Sequence, residues 1–527
     1  MTNPPPETPP HPNMPDRRAA AAGIDTGPQR DPGSSGAAIL AWLIGLAALV
    51  GVVVMQQAPA PLPLPAGPGG QPQAAEIAPP ATMVEGIHKG VWRVIYLTER
   101  AVQQANQQAG TTPDEQEKAI TDARTQAGEL IAQLEQFGPD PVGEARRLVL
   151  RADTMGIEAA EPRWMGLISE LEAEDPEHPL IADIETFIVL YSDAPPEPDA
   201  DFLHRHGFFA ELADLHGDTD AREALAKPGR TVVLVSIFGV QLLVILLAVL
   251  AGFVLLIFGI VLFASGQRRP RFRPPLPGGS VYLETAALFI LSFLVLKLVL
   301  DAVVPMMPTV DPLVATGISQ WLLLGVLFWP KLRGAPRAAS DLGWEAVPRP
   351  TRRGTKPPSV IAEIGAGVVG YLACLPIYIA GVLLALILMA ISGLISGGAA
   401  GTGADAPAIP ENPLFDMVAN GSFIGLALVV LLATVWAPIV EETVFRGALY
   451  RHMRARMFWL IAAPITAAVF GAMHGYPVPL LMPVIALGVG FAMLREWRGS
   501  IIAAVTAHAI HNGFVFGVLL TAVAIFS

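Results

Sequence analysis

Three apolar stretches near the end of the 527-residue chain carry groups that such stretches normally exclude. The first contains Val440-Glu441-Glu442-Thr443-Val444-Phe445-Arg446-Gly447. The second ends in Phe470-Gly471-Ala472-Met473-His474, and the third holds His508-Ala509-Ile510-His511-Asn512. A charged side chain at membrane depth costs roughly 2.5–3.5 kcal/mol on insertion scales, so such groups are kept for ion or proton paths or for catalysis. Two Glu, an Arg, two or three His and an Asn from three neighbouring stretches fit acid–base catalysis better than a transport path.

The elements that hold these groups must bring them to one depth. If the first two stretches form antiparallel helices turning near Met457, Glu441 lies 16 residues before the turn and His474 lies 17 after it. Equal path lengths put both at one level, roughly 24 Å of helix from the turn. Part of that length, around Arg451–Arg456, lies at the interface, where arginines snorkel. His508 and Asn512, spaced i,i+4, share one helix face. This geometry requires helices that run unbroken through Gly447 and Pro464.

The chain as a whole has the makeup of a membrane protein: 52% hydrophobic and 15% charged residues, against roughly 25% charged in soluble domains. Its one cysteine, Cys374, excludes an internal disulfide framework. Apolar runs of about 20 residues predict an all-α, polytopic bundle of nine transmembrane helices. They cover 37–55, 231–264, 281–304, 311–330, 359–396, 419–445, 458–474, 478–494 and 500–526. The second and fifth exceed what a span needs, and Gly393–Gly398 is expected to end the fifth. Arginines and lysines cluster after the second, fourth, sixth and eighth runs. Asp311, Asp405, Glu411 and Asp416 mark odd-numbered exits. By the positive-inside rule the N-terminus is cytoplasmic, residues 56–230 are extracytoplasmic, and the C-terminus lies outside as well. Asp301 and Glu284 are read as interfacial.

Six regions follow. Residues 1–36 form a disordered cytoplasmic tail, 37–55 an anchor, 56–82 a Pro-rich linker, and 83–230 an acidic soluble helical domain inserted between spans. Residues 231–357 hold helices two to four with basic loops, and 358–527 the core bearing the polar groups. Thr112 and Glu115 form a capping-box match at a helix start. Residues 56–230 hold 30 acidic and 13 basic residues, more negative charge than the chain's net −12. That argues against nucleic acid and anionic lipid surfaces as partners of this region. A solvated helical domain, or one that presents substrate or binds a protein partner, fits it. His204 and His206 lack the matching spacing of a metal site and are read as polar surface.

The three polar motifs resemble those of the CAAX protease and bacteriocin-processing family of intramembrane proteases, which includes the type II CAAX prenyl endopeptidase. Glu441, Glu442 and Arg446 match a Glu-Glu-x-x-x-Arg pattern; Phe470 with His474 and His508 with Asn512 supply the other two. The resemblance covers roughly 360–527. It implies an endopeptidase in which Glu441 activates water, His474 holds and polarises it, and His508 and Asn512 donate to the oxyanion of the scissile peptide. Glu442 and Arg446, one turn apart, would pair and orient the site. His511 and Phe470 are read as structural.

Other chemistries leave different signatures. His-Glu-x-x-His is absent. Gly401–Asp405 lacks the aspartyl Gly-x-Gly-Asp spacing, and Gly421–Gly425 lacks Gly-x-Ser-x-Gly. Glu441, His474 and His508 could still ligate Zn²⁺ as a two-His, one-carboxylate set; the preferred expectation is no cofactor. A transporter or a non-proteolytic scaffold using the same cavity is the competing function, although no inverted repeat is visible. The expected partners are the lipid bilayer, a peptide or membrane-protein substrate, and a protein partner for 83–230. The Ala, Pro, Gly and Arg bias points to a bacterial cytoplasmic membrane, where prenylated substrates are not expected.

Overall fold

A computed structural model describes residues 29–57, 77, 82–109, 111–136, 140–192, 194–307, 312–351, 354–357, 359–395 and 423–526 except 193. The tail up to residue 28, nearly all of the Pro-rich linker, and the acidic residues 311, 405, 411 and 416 lie outside the described residues. The helices are α1 (Ser35–Gln57), α2 (Thr82–Ala109), α3 (Pro113–Ala132), α4 (Pro141–Met155), α5 (Glu161–Glu174) and α6 (Pro179–Leu190). There follow α7 (Ala200–His206), α8 (Phe208–Asp214), α9 (Thr219–Ala226), α10 (Pro228–Ala264), α11 (Val281–Val303) and α12 (Pro312–Gln320). The last are α13 (Ala338–Leu342), α14 (Val360–Ile395), α15 (Phe423–Arg454), α16 (Trp459–Ala472), α17 (Leu481–Arg498) and α18 (Ile502–Phe526). The one sheet among the described residues is a hairpin of β1 (Arg349–Thr351) with β2 (Gly354–Lys356). The fold is thus an all-α polytopic membrane bundle.

Among the described residues, seven helices are long and apolar enough to cross a membrane, against nine apolar runs in the sequence. The run at 311–330 divides into α12 and a tighter 3₁₀ stretch, Trp321–Phe328. The run at 458–474 gives α16, whose 14 residues reach about 21 Å against a hydrocarbon core of about 30 Å. An apolar run records burial from water and not how tightly the backbone coils. The long second and fifth spans are single helices of 37 and 36 residues, α10 and α14.

Contacts divide the chain into two units. The first comprises residues 1–58, 249–386 and 431–512. In it α1 packs against α11, and Ala41, Ala48 and Val52 join a cluster with Phe289, Ile290, Phe445, Phe470 and Met473. Residues 29–34, read from composition as disordered tail, are bonded in place: Pro32 O accepts the Ser280 and Val281 amides at 2.9 and 3.2 Å. The arginines expected to snorkel find partners within the protein. Arg451 meets Asp31 at 2.7 Å and Asp341 at 3.0 Å, and Arg454 meets Glu496 at 2.6 Å. Arg498, near the end of α17, donates to Glu363 at 2.8 Å. A cation withdrawn from water needs such partners.

The second unit comprises 59–248, 387–430 and 513–527. Its helices α2 to α9 bury Trp92, Trp164, Phe187, Phe202, Phe208 and Phe209 in one core. The Thr112–Glu115 capping box is formed, with Glu115 Oε2 accepting the Thr112 amide at 2.9 Å. Arg93 Nη1 donates to Ile525 O at 2.9 Å, so the end of α18 lies against this domain. His206 is fully buried, between Asp183 at 2.8 Å and Arg146 at 3.3 Å. It is a core histidine rather than the polar surface group its sequence suggested.

Candidate active site

The helix carrying the two glutamates is not uniformly α-helical. Leu432–Trp436 and Glu442–Leu449 are wider π turns inside α15, a feature that recurs at functional sites. The helix nevertheless continues through Gly447, and α16 continues through Pro464. The continuity that the equal-depth argument requires is therefore present.

Glu442 and Arg446 form the buried centre. Arg446 Nη1 donates to Glu442 Oε1 at 2.9 Å, and its Nη2 donates to Gly488 O at 3.2 Å. The guanidinium lies 4.4 Å from the Phe470 ring centroid and 5.3 Å from that of Phe491. Aromatic rings attract a cation held over their faces. Gly488 is required by this close approach: a Cβ there would lie 3.0 Å from Arg446 Nη2 and 2.9 Å from Ala467 Cβ.

His508 joins the two glutamates. Its Nδ1 lies 3.0 Å from Glu442 Oε1, and its Nε2 lies 3.8 Å from Glu441 Oε2. A carboxylate paired with Arg446 only accepts, so Nδ1 carries a proton. Nε2 is then an acceptor in the neutral ring and a donor only in the imidazolium. Phe491 stacks on the imidazole with centroids 5.1 Å apart. The two glutamates differ in access: the Glu442 side chain is 0% exposed and that of Glu441 is 21% exposed.

His474 directs Nδ1 to its own helix, 2.9 Å from Phe470 O, with the Phe470 ring beside it at 4.6 Å. A backbone carbonyl accepts, so Nδ1 is protonated, and in the neutral ring Nε2 keeps its lone pair. Asn512 Nδ2 donates to Ala433 O at 2.8 Å, in the first π turn of α15. Its second hydrogen remains for another acceptor. His511 faces Tyr371 at 3.5 Å and Tyr378 at 5.1 Å between ring centroids, away from this set.

Sequence reasoning missed Gly488, Phe491 and Trp344, whose Nε1 donates to Thr443 Oγ1 at 3.2 Å. Phe491 and Gly488 lie on α17, which bears no polar motif, and only its packing brings them to Arg446. The two carboxylates left out of the site are paired elsewhere, Glu284 with Arg333 at 2.9 Å and Asp301 with Lys297 at 3.0 Å. Among the described residues no three His, Cys, Asp or Glu side chains converge as a metal-binding group. Glu441, His474 and His508, named from the sequence as an alternative Zn²⁺ set, are thus not gathered as one.

Residues 423–514 match the family model of the type II CAAX prenyl endopeptidase Rce1-like proteins. All the polar motifs lie inside the matched residues. The match is narrower than the range 360–527 that the resemblance covers. No curated protein and no solved structure matches the chain.

Proposed function

We propose that this protein is an intramembrane endopeptidase in which Glu441 activates the attacking water. The observation that carries the reading is the asymmetry of the glutamate pair. Glu442 is locked by Arg446 and His508, whereas Glu441 is partly exposed and has no partner closer than 3.8 Å among the described salt bridges. A general base must be free to take a proton and be reached by water; a carboxylate held in a buried ion pair is neither.

In the proposed reaction, water lies between Glu441 and the free Nε2 of His474, and the Glu441 carboxylate takes its proton as oxygen attacks the peptide carbonyl. Asn512 donates its second amide hydrogen to the developing oxyanion. His508 donates Nε2–H to the same oxygen when both ring nitrogens are protonated. Collapse of the tetrahedral intermediate breaks the C–N bond, and the proton on Glu441 passes to the departing amine. Arg446 pairs with Glu442, which in turn holds His508 in place.

The substrate is proposed to be a membrane-tethered or C-terminal peptide segment without a required prenyl group. The protein is proposed to lie in a bacterial cytoplasmic membrane with residues 56–230 outside. The test is cleavage of a library of such peptides by purified wild type and Glu441→Ala, each with and without a chelator. The expected result is cleavage by wild type, insensitive to chelator, and none by the variant. Equal cleavage by both proteins would refute the glutamate mechanism, and loss with chelator would assign a metal to the site.

A further inference from the structure

We infer that Gln56, on α1 and outside the matched domain, is a positioning residue that holds His474 in register; the inference rests on the proteolytic reading of the site. Met473 and His474 lie beyond Ala472, the last residue of α16. The carbonyls of a helix end lack partners within the helix. Gln56 Nε2 supplies one, donating to Met473 O at 3.0 Å. Because that carbonyl can only accept, the orientation of the carboxamide is fixed, and Oε1 is left buried with no hydrogen-bond partner among the described atoms.

The turn is shaped to this side chain. Gly475 adopts φ +72°, and a Cβ there would lie 2.9 Å from Gln56 Cδ. The chain can therefore reverse directly after His474 only because residue 475 has neither a side chain nor a left-handed penalty. His474 Nδ1 bonds to Phe470 O, which fixes the ring to α16 but not the end of α16 to the rest of the bundle. Gln56 makes that second connection.

The helix that carries Gln56 is itself held. Asp31, just before α1, meets Arg451 of α15 at 2.7 Å. Ala41, Ala48 and Val52 pack in the cluster that contains Phe445, Phe470 and Met473. The segment 29–57 thus reaches the glutamate-bearing helix near one end and the His474 turn at the other. It braces both motif-bearing helices in addition to crossing the membrane. A displacement of about 1 Å at a reacting group can cost roughly 10²-fold in rate, so a single bond at this turn matters to catalysis more than to folding.

The test compares the full-length wild type, Gln56→Met and Gln56→Lys in lipid nanodiscs. Methionine keeps the length and loses the donor; lysine keeps N–H donors over a similar reach. Hydrogen exchange of the peptide spanning 470–477 is read in all three. So is steady-state cleavage of the best peptide from the Glu441 experiment. The expected result for Gln56→Met is exchange faster by roughly tenfold, confined to that peptide, with kcat lower by about tenfold or more and KM within about twofold. Gln56→Lys restores both. Unchanged exchange and kcat would overturn the inference, as would a rise in KM alone, which would mark a substrate contact. Loss of protection spread through α1, α11 and α16 would overturn it too, since Gln56 would then only support the bundle. If wild type cleaves nothing, the exchange arm still decides the positioning claim, and the failure belongs to the proteolytic reading.

Discussion

Glu441 and Glu442 are neighbours in sequence with opposite surroundings, and their substitutions should separate chemistry from stability. Glu441→Gln keeps the shape of a partly exposed side chain, so its thermal unfolding should match wild type while cleavage falls to background. Glu442→Gln leaves the buried Arg446 guanidinium without its countercharge. Breaking a buried pair in this way costs about 3–5 kcal/mol, so the melting temperature in detergent should fall by several degrees and activity should fall with it. Measuring unfolding and cleavage on the same two samples checks both outcomes; equal melting of the two variants would contradict the assigned burial. The identity of these residues was legible from sequence, because charges at i,i+4 within an apolar run are few and expensive. The roles of their neighbours were not. Nothing about Phe491 or Gly488 differs locally from other residues of an apolar helix, and their contacts with Arg446 exist only between helices.

At the scale of elements, the site depends on how closely α16 and α17 approach. Gly488→Ala would press a methyl against Arg446 Nη2 and Ala467. Overpacking of this kind costs about 1–3 kcal/mol, and cleavage should drop by roughly an order of magnitude or more as Arg446 shifts. A parallel assay of Gly517→Ala, where the added Cβ would point into open space, should show activity near wild type and so establish that the effect is local. In the second unit, α2 buries His88, whose pKa is pushed down to about 4 by burial, against a hydrogen bond to Val84 O that works the other way. The unfolded ring binds protons below about pH 6.5 and the folded one only near pH 4. Stability contributed by the neutral ring is therefore complete above about pH 6.5 and is lost as pH falls toward about 4. Hydrogen exchange of peptides covering 84–96 should show protection falling across that window, and His88→Leu should flatten the fall. The helices and their capping box were readable from pattern and propensity. The π turns of α15 and the 3₁₀ stretch at Trp321–Phe328 were not, because they arise where packing and backbone coiling compete.

For the whole molecule, the acidic helical region α2–α9 and the end of α18 belong to one unit, joined by Arg93 at Ile525 O and by Arg230 at Ala524 O. The domain is proposed to restrict or recruit substrate. Deleting 83–227 should then change cleavage of the native membrane substrate by roughly an order of magnitude or more, down if the domain recruits it and up if the domain restricts it, while leaving short peptides cleaved within a few-fold, with some loss of thermal stability as the α18 carbonyls lose a donor. Unchanged cleavage of the native substrate by the deletion protein would remove the proposed role.

Hydrophobic runs, charge placement and three spaced motifs determined that this chain is a helical membrane protein with polar groups drawn from three helices. Those properties follow from the cost of moving charge and backbone out of water, which each segment meets by itself. Tertiary structure alone decided which glutamate is locked and which is open, how His508 is held between them, and that α17 and the N-terminal segment complete the surroundings of the site. Those outcomes depend on the approach of helices distant in the chain, where a bond of about 3 Å is made or lost by packing that no single segment encodes.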